Sequence, residues 1–249
     1  QKGDVVLDLE PSWSQDLRRL LVRVARQNPL EGKLGEIWVR QQMARKIPDL
    51  PTARKHPWKK KKWWIKERVF VASMQIASKR AQRLIWARKA DLVNLSGSNI
   101  LVFISLCQQI WASYLHSLKA QDAKWQDKTL PVIDDVYVQS EGIQEASDIW
   151  YNKIREEPGG DTRQRLASVL GLEFNKHLIS DKQLSYPGAY GFSLSVRDLE
   201  SNQPVATVLK DATSYDVLVQ RKHTPKSKTR GESRKWYLIP ILSPHFQLP

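Results

Sequence analysis

Apolar residues recur at helical spacing along most of the chain, which predicts a mainly α-helical protein. Ser14 can cap a first helix that runs to about Gln27, with its apolar residues on one face. Asn28 and Pro29 then predict the end of that helix. Asn99 is a strong capping residue for a helix that is apolar on most sides, and we expect that helix to be central. The other helices in the first two thirds of the chain are predicted at 34–45, 65–89, 100–119 and 143–157.

The first residues show a different pattern. Residues 4–9 alternate enough to predict a short strand, but no partner strand lies nearby in the sequence. We therefore expect this strand to belong to a sheet outside the chain. The dipeptide Gly159-Gly160 follows Pro158 at the end of a helical pattern, and this break predicts a domain boundary.

The last third of the chain has a distinctive order of predicted elements. A helix is followed by a strand, two helices, a strand, a long polar loop and a return strand. This is the order of a winged helix, which is a variant of the helix-turn-helix. The elements lie at 163–180, 192–194, 196–201, 205–212, 216–220, 221–235 and 236–242.

Charge narrows the class of partner. The chain has 40 Lys and Arg against 26 Asp and Glu, a formal net charge of +14. Such an excess favours a polyanionic partner such as nucleic acid, although an acidic protein face, a membrane surface or simple solubility also fit. Cys107 is the only cysteine, which excludes an intrachain disulfide and fits a reducing compartment. The longest apolar stretch, 100–118, is interrupted by polar residues, so we expect a cytoplasmic protein without a membrane partner.

The long polar loop of the winged helix is the first candidate site. Its basic residues outnumber the one acid, Glu232, and hydroxyl side chains lie between them. Such a loop can lie against phosphates, whereas the alternative is a solvated hairpin that charge keeps soluble. The helix before it carries only Lys210 as a basic residue, so we expect little reading of bases. The predicted contacts are Arg221, Lys222, Lys226, Lys228, Arg230, Arg234 and Lys235.

A second basic patch contains three tryptophans among its charges. Trp58, Trp63 and Trp64 could stack on unpaired bases while the neighbouring basic residues hold phosphates. The alternative is a solvated loop in which Trp63 or Trp64 anchors the next helix, and we favour this anchoring role. The basic residues of the patch are Arg54, Lys55, Lys59, Lys60, Lys61 and Lys62.

No catalytic constellation is visible in the sequence. The five histidines are scattered without metal-ligand spacing, and the paired acids 134–135 and 156–157 carry no catalytic pattern. Gly32-Lys33 lacks the glycine spacing and the following Ser or Thr of a phosphate-binding loop. The sequence therefore predicts no catalytic residue, no metal ligand and no cofactor held by this chain.

Several stretches together resemble the C-terminal half of a bacterial AAA+ ATPase of the origin-recognition-like, signal-transducing (STAND) type. Residues 5–9 and 13–21 are similar to that family's strand and Trp-containing helix, and the stretch 235–246 looks like the last strand and cap of its winged helix. The Gly-Asn turn before the family's sensor helix matches Ser96-Gly97-Ser98-Asn99, which the resemblance makes a nucleotide-sensing turn. The basic residue often found after that turn is replaced by Ile100 and Leu101.

The resemblance implies a fold and a domain organisation. The fold is mainly α: a helical lid-type domain followed by a C-terminal winged-helix domain with a β-hairpin wing. Residues 1–30 would end an ATPase core, 31–158 would form the lid-like domain with the basic Trp-rich insertion, and 159–249 would form the winged helix. The family's phosphate loop and acidic metal-binding strand are absent, so ATP and Mg²⁺ are expected only with an upstream ATPase core.

The function that we predict is a nucleotide-switched ATPase portion that binds nucleic acid through basic surfaces, with DNA favoured over RNA. Relatives of this type suggest phage defence or a mobile element, and self-association or a partner subunit is also open. Two other classes remain as alternatives. One is a basic structural protein of a nucleoprotein particle, and the other is a winged-helix module that docks on protein.

Overall fold

The computed structural model describes residues 6–47, 49–52, 55–120, 131–186, 188–223 and 232–249. The chain divides into two compact units. Unit 1 comprises Gln1–Leu84, Phe174–Tyr190 and Pro249, and unit 2 comprises Ile85–Glu173 and Gly191–Leu248. These units do not coincide with the domain limits 1–30, 31–158 and 159–249, which stay a prediction.

Unit 1 is built on three helices: α1 (Gln15–Gln27), α2 (Pro29–Ala44) and α3 (Lys62–Lys79). The predicted cap of α1 is confirmed, because the Ser14 hydroxyl accepts a hydrogen bond from the Leu17 N–H at 3.3 Å. Asn28 ends α1 and also begins α2, since its side chain accepts from the Glu31 N–H at 3.0 Å. The predicted start of α2 at residue 34 was therefore too late: Pro29 opens the new helix, where a missing N–H costs nothing.

The strand predicted at 4–9 is wrong for the residues that the structure describes. Residues 6–10 form no strand. Val6 and Leu7 are instead buried in a cluster with Trp13 and Leu17. Apolar packing on the helices thus replaces the strand partner that the sequence lacked.

The segment Phe174–Tyr190, called the returning segment, completes unit 1 by accepting hydrogen bonds from buried polar side chains. The Gln41 amide donates to the Gln183 and Leu184 carbonyls at 2.6 and 3.2 Å. The Arg68 Nε donates to the Leu184 carbonyl at 3.2 Å, and the Gln75 amide donates to the Leu178 and Asp181 carbonyls at 2.7 and 3.0 Å. These bonds satisfy polar groups that burial would otherwise penalise.

Unit 2 begins with helices and ends with the winged-helix elements. The predicted helix 65–89 is in fact two, because α3 ends at Lys79 and a new helix starts at Arg88. The helix at Gly160–Ser180 (α7) contributes residues to both units, because Phe174 and the residues after it belong to unit 1. The remaining elements are α4 (Arg88–Ser96), α5 (Ile100–Ala120), α6 (Val136–Lys153), α7 (Gly160–Ser180), β1 (Gly191–Ser195), α8 (Val196–Ser201), α9 (Gln203–Ser214), β2 (Leu218–His223), β3 (Ser233–Leu238) and α10 (Ser243–Phe246).

The three strands form one antiparallel sheet in the order β1-β3-β2. Together with α7, α8 and α9 this gives the predicted winged-helix order. The predicted fold class is confirmed: the protein is mainly helical, with a helical region and a winged helix that carries a small three-stranded sheet.

Helix α5 is less buried than its apolar sequence predicted. Val102, Leu106 and Ile110 are buried along one face, but Ile100 and Leu101 are about two thirds exposed. The prediction of a central helix is therefore wrong within unit 2. In the part of the chain that the structure describes, no helix has the length and apolar character needed to span a membrane.

Candidate nucleic-acid interface

The base of the wing brings basic residues of like charge face to face. The antiparallel register of β2 and β3 sets Arg221 opposite Lys235 and Lys222 opposite Arg234. Like charges directly opposite each other on adjacent strands destabilise a sheet. The pairing of Arg221 with Lys235 therefore opposes folding of the hairpin.

Aromatic packing holds this hairpin in place. The Arg221 guanidinium lies 5.8 Å, and the Lys235 ammonium 4.8 Å, from the centre of the Tyr237 ring. Trp236 is buried and stacks on Phe192 of β1 at 5.6 Å. The strands thus present Arg221 and Arg234, both exposed, from a rigid support. The predicted contacts Lys226, Lys228 and Arg230 lie outside the described residues.

Helix α9 precedes the wing in the position of a recognition helix. It buries Leu209 and Ala212, and Asn202 caps it by accepting a hydrogen bond from the Val205 N–H at 3.4 Å. Lys210 is exposed and is the one basic residue on the helix. This exposed surface offers few of the side chains that read base edges.

The second basic patch is partly neutralised within unit 1. Lys55 pairs with Asp49 at 2.8 Å, and Lys59 pairs with Glu31 at 2.8 Å. Burial raises the pKa of Glu31, but hydrogen bonds from Lys59 and His56 outweigh it and hold that pKa below its ordinary value. The remaining described lysines of the patch, Lys60, Lys61 and Lys62, are exposed, and Arg54 lies outside the described residues.

The three tryptophans of this patch have different roles. Trp58 is buried against Gly35, and the His56 ring stacks on it at 5.2 Å. The Trp64 indole donates to Gln41 Oε1 at 2.9 Å, which fits the predicted anchoring role. Trp63 is 70% exposed, so it is the one tryptophan of the three that can stack on a base. The burial of Trp58 had no local signal, because it depends on a small residue in another helix.

The predicted nucleotide-sensing turn links α4 to α5. Gly97 and Ser98 both adopt positive φ, at 56° and 67°. Asn99 Oδ1 accepts from the Leu101 and Val102 N–H groups at 2.9 and 3.4 Å, and it thereby caps α5 as predicted. The buried Ser96 hydroxyl donates to the Val93 carbonyl at 2.8 Å. Two of the three side chains thus serve the local fold and none supplies a positive charge, so a nucleotide-sensing role for this turn stays a prediction.

Four arginines of α1 are missing from the sequence-based set of sites. Arg19, Arg23 and Arg26 are exposed, and Arg18 is half-buried beside them. Their spacing on the face opposite the apolar residues was readable from the sequence. Elsewhere in the described part of the chain, no cluster of His, Cys, Asp or Glu is arranged to hold a metal ion.

A helical region and a winged helix with basic residues on its wing fit the C-terminal region of an origin-recognition-like AAA+ protein, and the family match supports this class. The chain belongs to the ORC-CDC6-like family, whose model matches residues 42–249. This match relates the chain to the lid region of AAA+ ATPases. Comparisons with curated proteins and with solved structures gave no significant match.

Proposed function

We propose that this chain is the lid and winged-helix portion of a nucleotide-switched AAA+/STAND-type ATPase, and that it holds the phosphate backbone of nucleic acid, DNA in preference to RNA. The observation that carries the proposal is the pairing of Arg221 with Lys235 and of Lys222 with Arg234 across the wing. Bound phosphates would turn this repulsion into attraction. Release of condensed counterions from the nucleic acid adds to the affinity.

The mode of binding is largely independent of sequence. Contacts to phosphate position a protein on a duplex, whereas contacts to base edges specify the sequence. The wing offers charge, and α9 offers only Lys210 as a basic residue. The protein therefore binds the phosphate backbone of the ligand, and the identity of the bases contributes little to the affinity.

Nucleotide is proposed to act through the lid and not through the phosphate-binding residues of the wing. In the proposal, the lid changes its angle with nucleotide state and carries the winged helix with it. In the proposal, ATP and Mg²⁺ enter only where an ATPase core accompanies these residues, because this sequence carries no phosphate-binding loop. Binding of the phosphate backbone itself does not depend on nucleotide.

The test is the salt dependence of binding by a triple variant, Arg221→Gln, Arg234→Gln and Lys235→Gln. Binding of the full chain to a short DNA duplex is followed by fluorescence anisotropy over a range of salt concentrations. The slope of log affinity against log salt should fall by about 0.9 for each lost contact, or about 2.7 if all three residues touch phosphate. The melting temperature should change little, because the loss of two cation–π contacts with Tyr237 offsets the relief of like-charge repulsion.

The matched control removes three positive charges elsewhere: Lys119→Gln, Lys153→Gln and Arg165→Gln, all exposed on helices of unit 2. This control should keep the slope of the parent chain. An unchanged slope in the wing variant would refute the wing as the contact. A loss confined to one DNA sequence would refute backbone binding, because it would show that the domain reads bases.

A further inference from the structure

The exposed face of α1 carries a row of arginines. Arg19, Arg23 and Arg26 follow the spacing i, i+4 and i+7, which places them along one side of the helix. The opposite face is buried through Leu17, Leu20, Leu21 and Val24. The row is therefore fixed in space by a core-packed helix rather than carried on a loop.

Two open clefts lie along this row. One, of about 750 Å³, is lined by all four arginines of α1 together with Leu9, Val22, Gln15 and Gln27. The other, of about 510 Å³, lies between Arg19 and Arg23 on one side and Leu50–Thr52 on the other. Arg19 and Arg23 line both clefts, so a ligand strand that follows α1 would meet these two guanidinium groups first.

Arg19 and Arg23 are exposed beside both clefts. Asp16 is the only acid of α1, and it also lines the smaller cleft. Among the ion pairs between described residues, none joins Arg19 or Arg23 to a carboxylate. Two exposed guanidinium groups one helical turn apart, Arg19 and Arg23, suit a ligand with regularly repeated negative charge, and Arg26 continues their row.

We propose that the arginine row of α1 is a second nucleic-acid site, in which one strand lies along the helix with its phosphates against Arg19, Arg23 and Arg26. This inference rests on the proposed function and gives it a location in unit 1. The helical rise puts about 10 Å between the ends of the row, which is the axial length of about three phosphates of one strand.

The surroundings of the row also fit a nucleic-acid strand. Planar guanidinium groups bind phosphate through two parallel hydrogen bonds. Leu9 and Val22 provide an apolar floor for sugars and base faces between those contacts. Leu50 and Pro51 add further apolar lining in the smaller cleft.

The experiment compares the full chain with the double variant Arg19→Gln and Arg23→Gln, on a short DNA duplex and on a single strand of mixed sequence. Because both side chains are exposed, the melting temperature should stay unchanged. The log–log salt slope should fall by about 1.8 on the duplex or about 1.4 on the single strand. The control Lys153→Gln with Arg165→Gln removes the same charge from unit 2 and should leave the slope as it is.

The outcomes separate the two proposals. Salt-sensitive binding by the parent chain with an unchanged slope in the α1 variant overturns the α1 site and leaves the proposed function standing. No salt-sensitive binding by the parent chain overturns both. A polyglutamate peptide that binds as tightly as DNA, and loses affinity in the α1 variant, would assign the row to an acidic protein and overturn the nucleic-acid assignment. Charge-preserving replacement of both residues by Lys should retain the slope.

Discussion

Glu36 is the centre of a buried ionic network, and its removal gives a sharp test of the packing of unit 1. Both of its carboxylate oxygens accept from Lys33 Nζ at 3.1 Å, and one accepts from Arg40 Nε at 3.3 Å. The Asp8 N–H donates to Glu36 at 3.0 Å, which ties the first described residues to α2. Lys33 is 1% exposed and Glu36 is 0% exposed, so solvent cannot replace either partner.

The change Glu36→Gln keeps the shape of the side chain and removes its charge. Among the described residues, Lys33 then has only the Asp8 carboxylate, 3.7 Å away, as a negative partner. Breaking a buried ion pair costs about 3–5 kcal/mol, because a buried charge is left without compensation. We expect a loss of about 3 kcal/mol in the free energy of unfolding at pH 7, the lower end of that range, because Asp8 remains and Gln still accepts a hydrogen bond.

The loss should depend on pH in a defined direction. Burial lowers the pKa of Lys33 below its ordinary value of 10.5, although Glu36 and Asp8 oppose the shift. Between the folded and unfolded pKa values the unfolded chain binds more protons, so this lysine makes stability rise with pH in that window. Loss of the Glu36 charge lowers the folded pKa of Lys33 further and widens the window. The loss in the free energy of unfolding caused by Glu36→Gln should therefore become smaller as the pH is raised from 7 towards 10.

Urea unfolding of the full chain, followed by tryptophan fluorescence at pH 7 and pH 9.5, measures both effects. The control Asp49→Asn breaks a surface pair with Lys55 and should cost no more than about 1 kcal/mol. A second change, Lys33→Met in the Glu36→Gln background, should recover most of the loss, because it removes the uncompensated charge. A loss at pH 7 as small as that of the control, or one that is the same at both pH values, would refute the reasoning.

Three further predictions concern unit 2. A Cβ on Gly171 would lie 2.4 Å from the Phe246 ring, so Gly171→Ala should destabilise by about 1–3 kcal/mol in thermal unfolding, and an unchanged transition would contradict the packing. Asn99→Ala should cost about 1 kcal/mol of stability in urea unfolding, whereas Asn99→Asp should be close to neutral because it can still cap α5. Hydrogen bonds from Ser195 lower the pKa of Asp198 below its ordinary value of 3.8. The contribution of Asp198 to stability is therefore present above that ordinary value and is lost as the pH falls through the folded pKa. In melting temperatures measured over a pH series, Asp198→Asn should make the decrease at acid pH less steep.

The winged helix could be predicted in order and nearly in extent because each of its elements carries its own signal. Ser195 and Asp198 form a capping box at the start of α8, and Pro204 lies in the first turn of α9. Signals of this kind are local, so they are readable without knowledge of packing. The start of α2 was missed for the opposite reason: Asn28 and Pro29 were interpreted as a stop, although the same pair both ends one helix and begins the next.

The candidate site was less predictable because its geometry depends on pairing and burial. The sequence identified Arg221 and Lys235 as basic, but only the strand register shows that they face each other. It could not distinguish Trp58, which is buried, from Trp63, which is exposed. The arginines of α1 carry a readable helical spacing, but Arg19, Arg23 and Arg26 are separated in sequence and form no run of charge like that of the lysines at 59–62.

The returning segment that accepts hydrogen bonds from Gln41, Arg68 and Gln75 limits how this protein can be cut or recombined. A fragment that stops at residue 158 would lack those carbonyls, and each buried donor left unsatisfied costs about 1–3 kcal/mol. Truncation after the helical region should therefore yield an insoluble or protease-sensitive product. A chimera that grafts a relative's wing onto this chain should exchange Gly191–Leu248 only, and retain the native α7 and the turn that follows it.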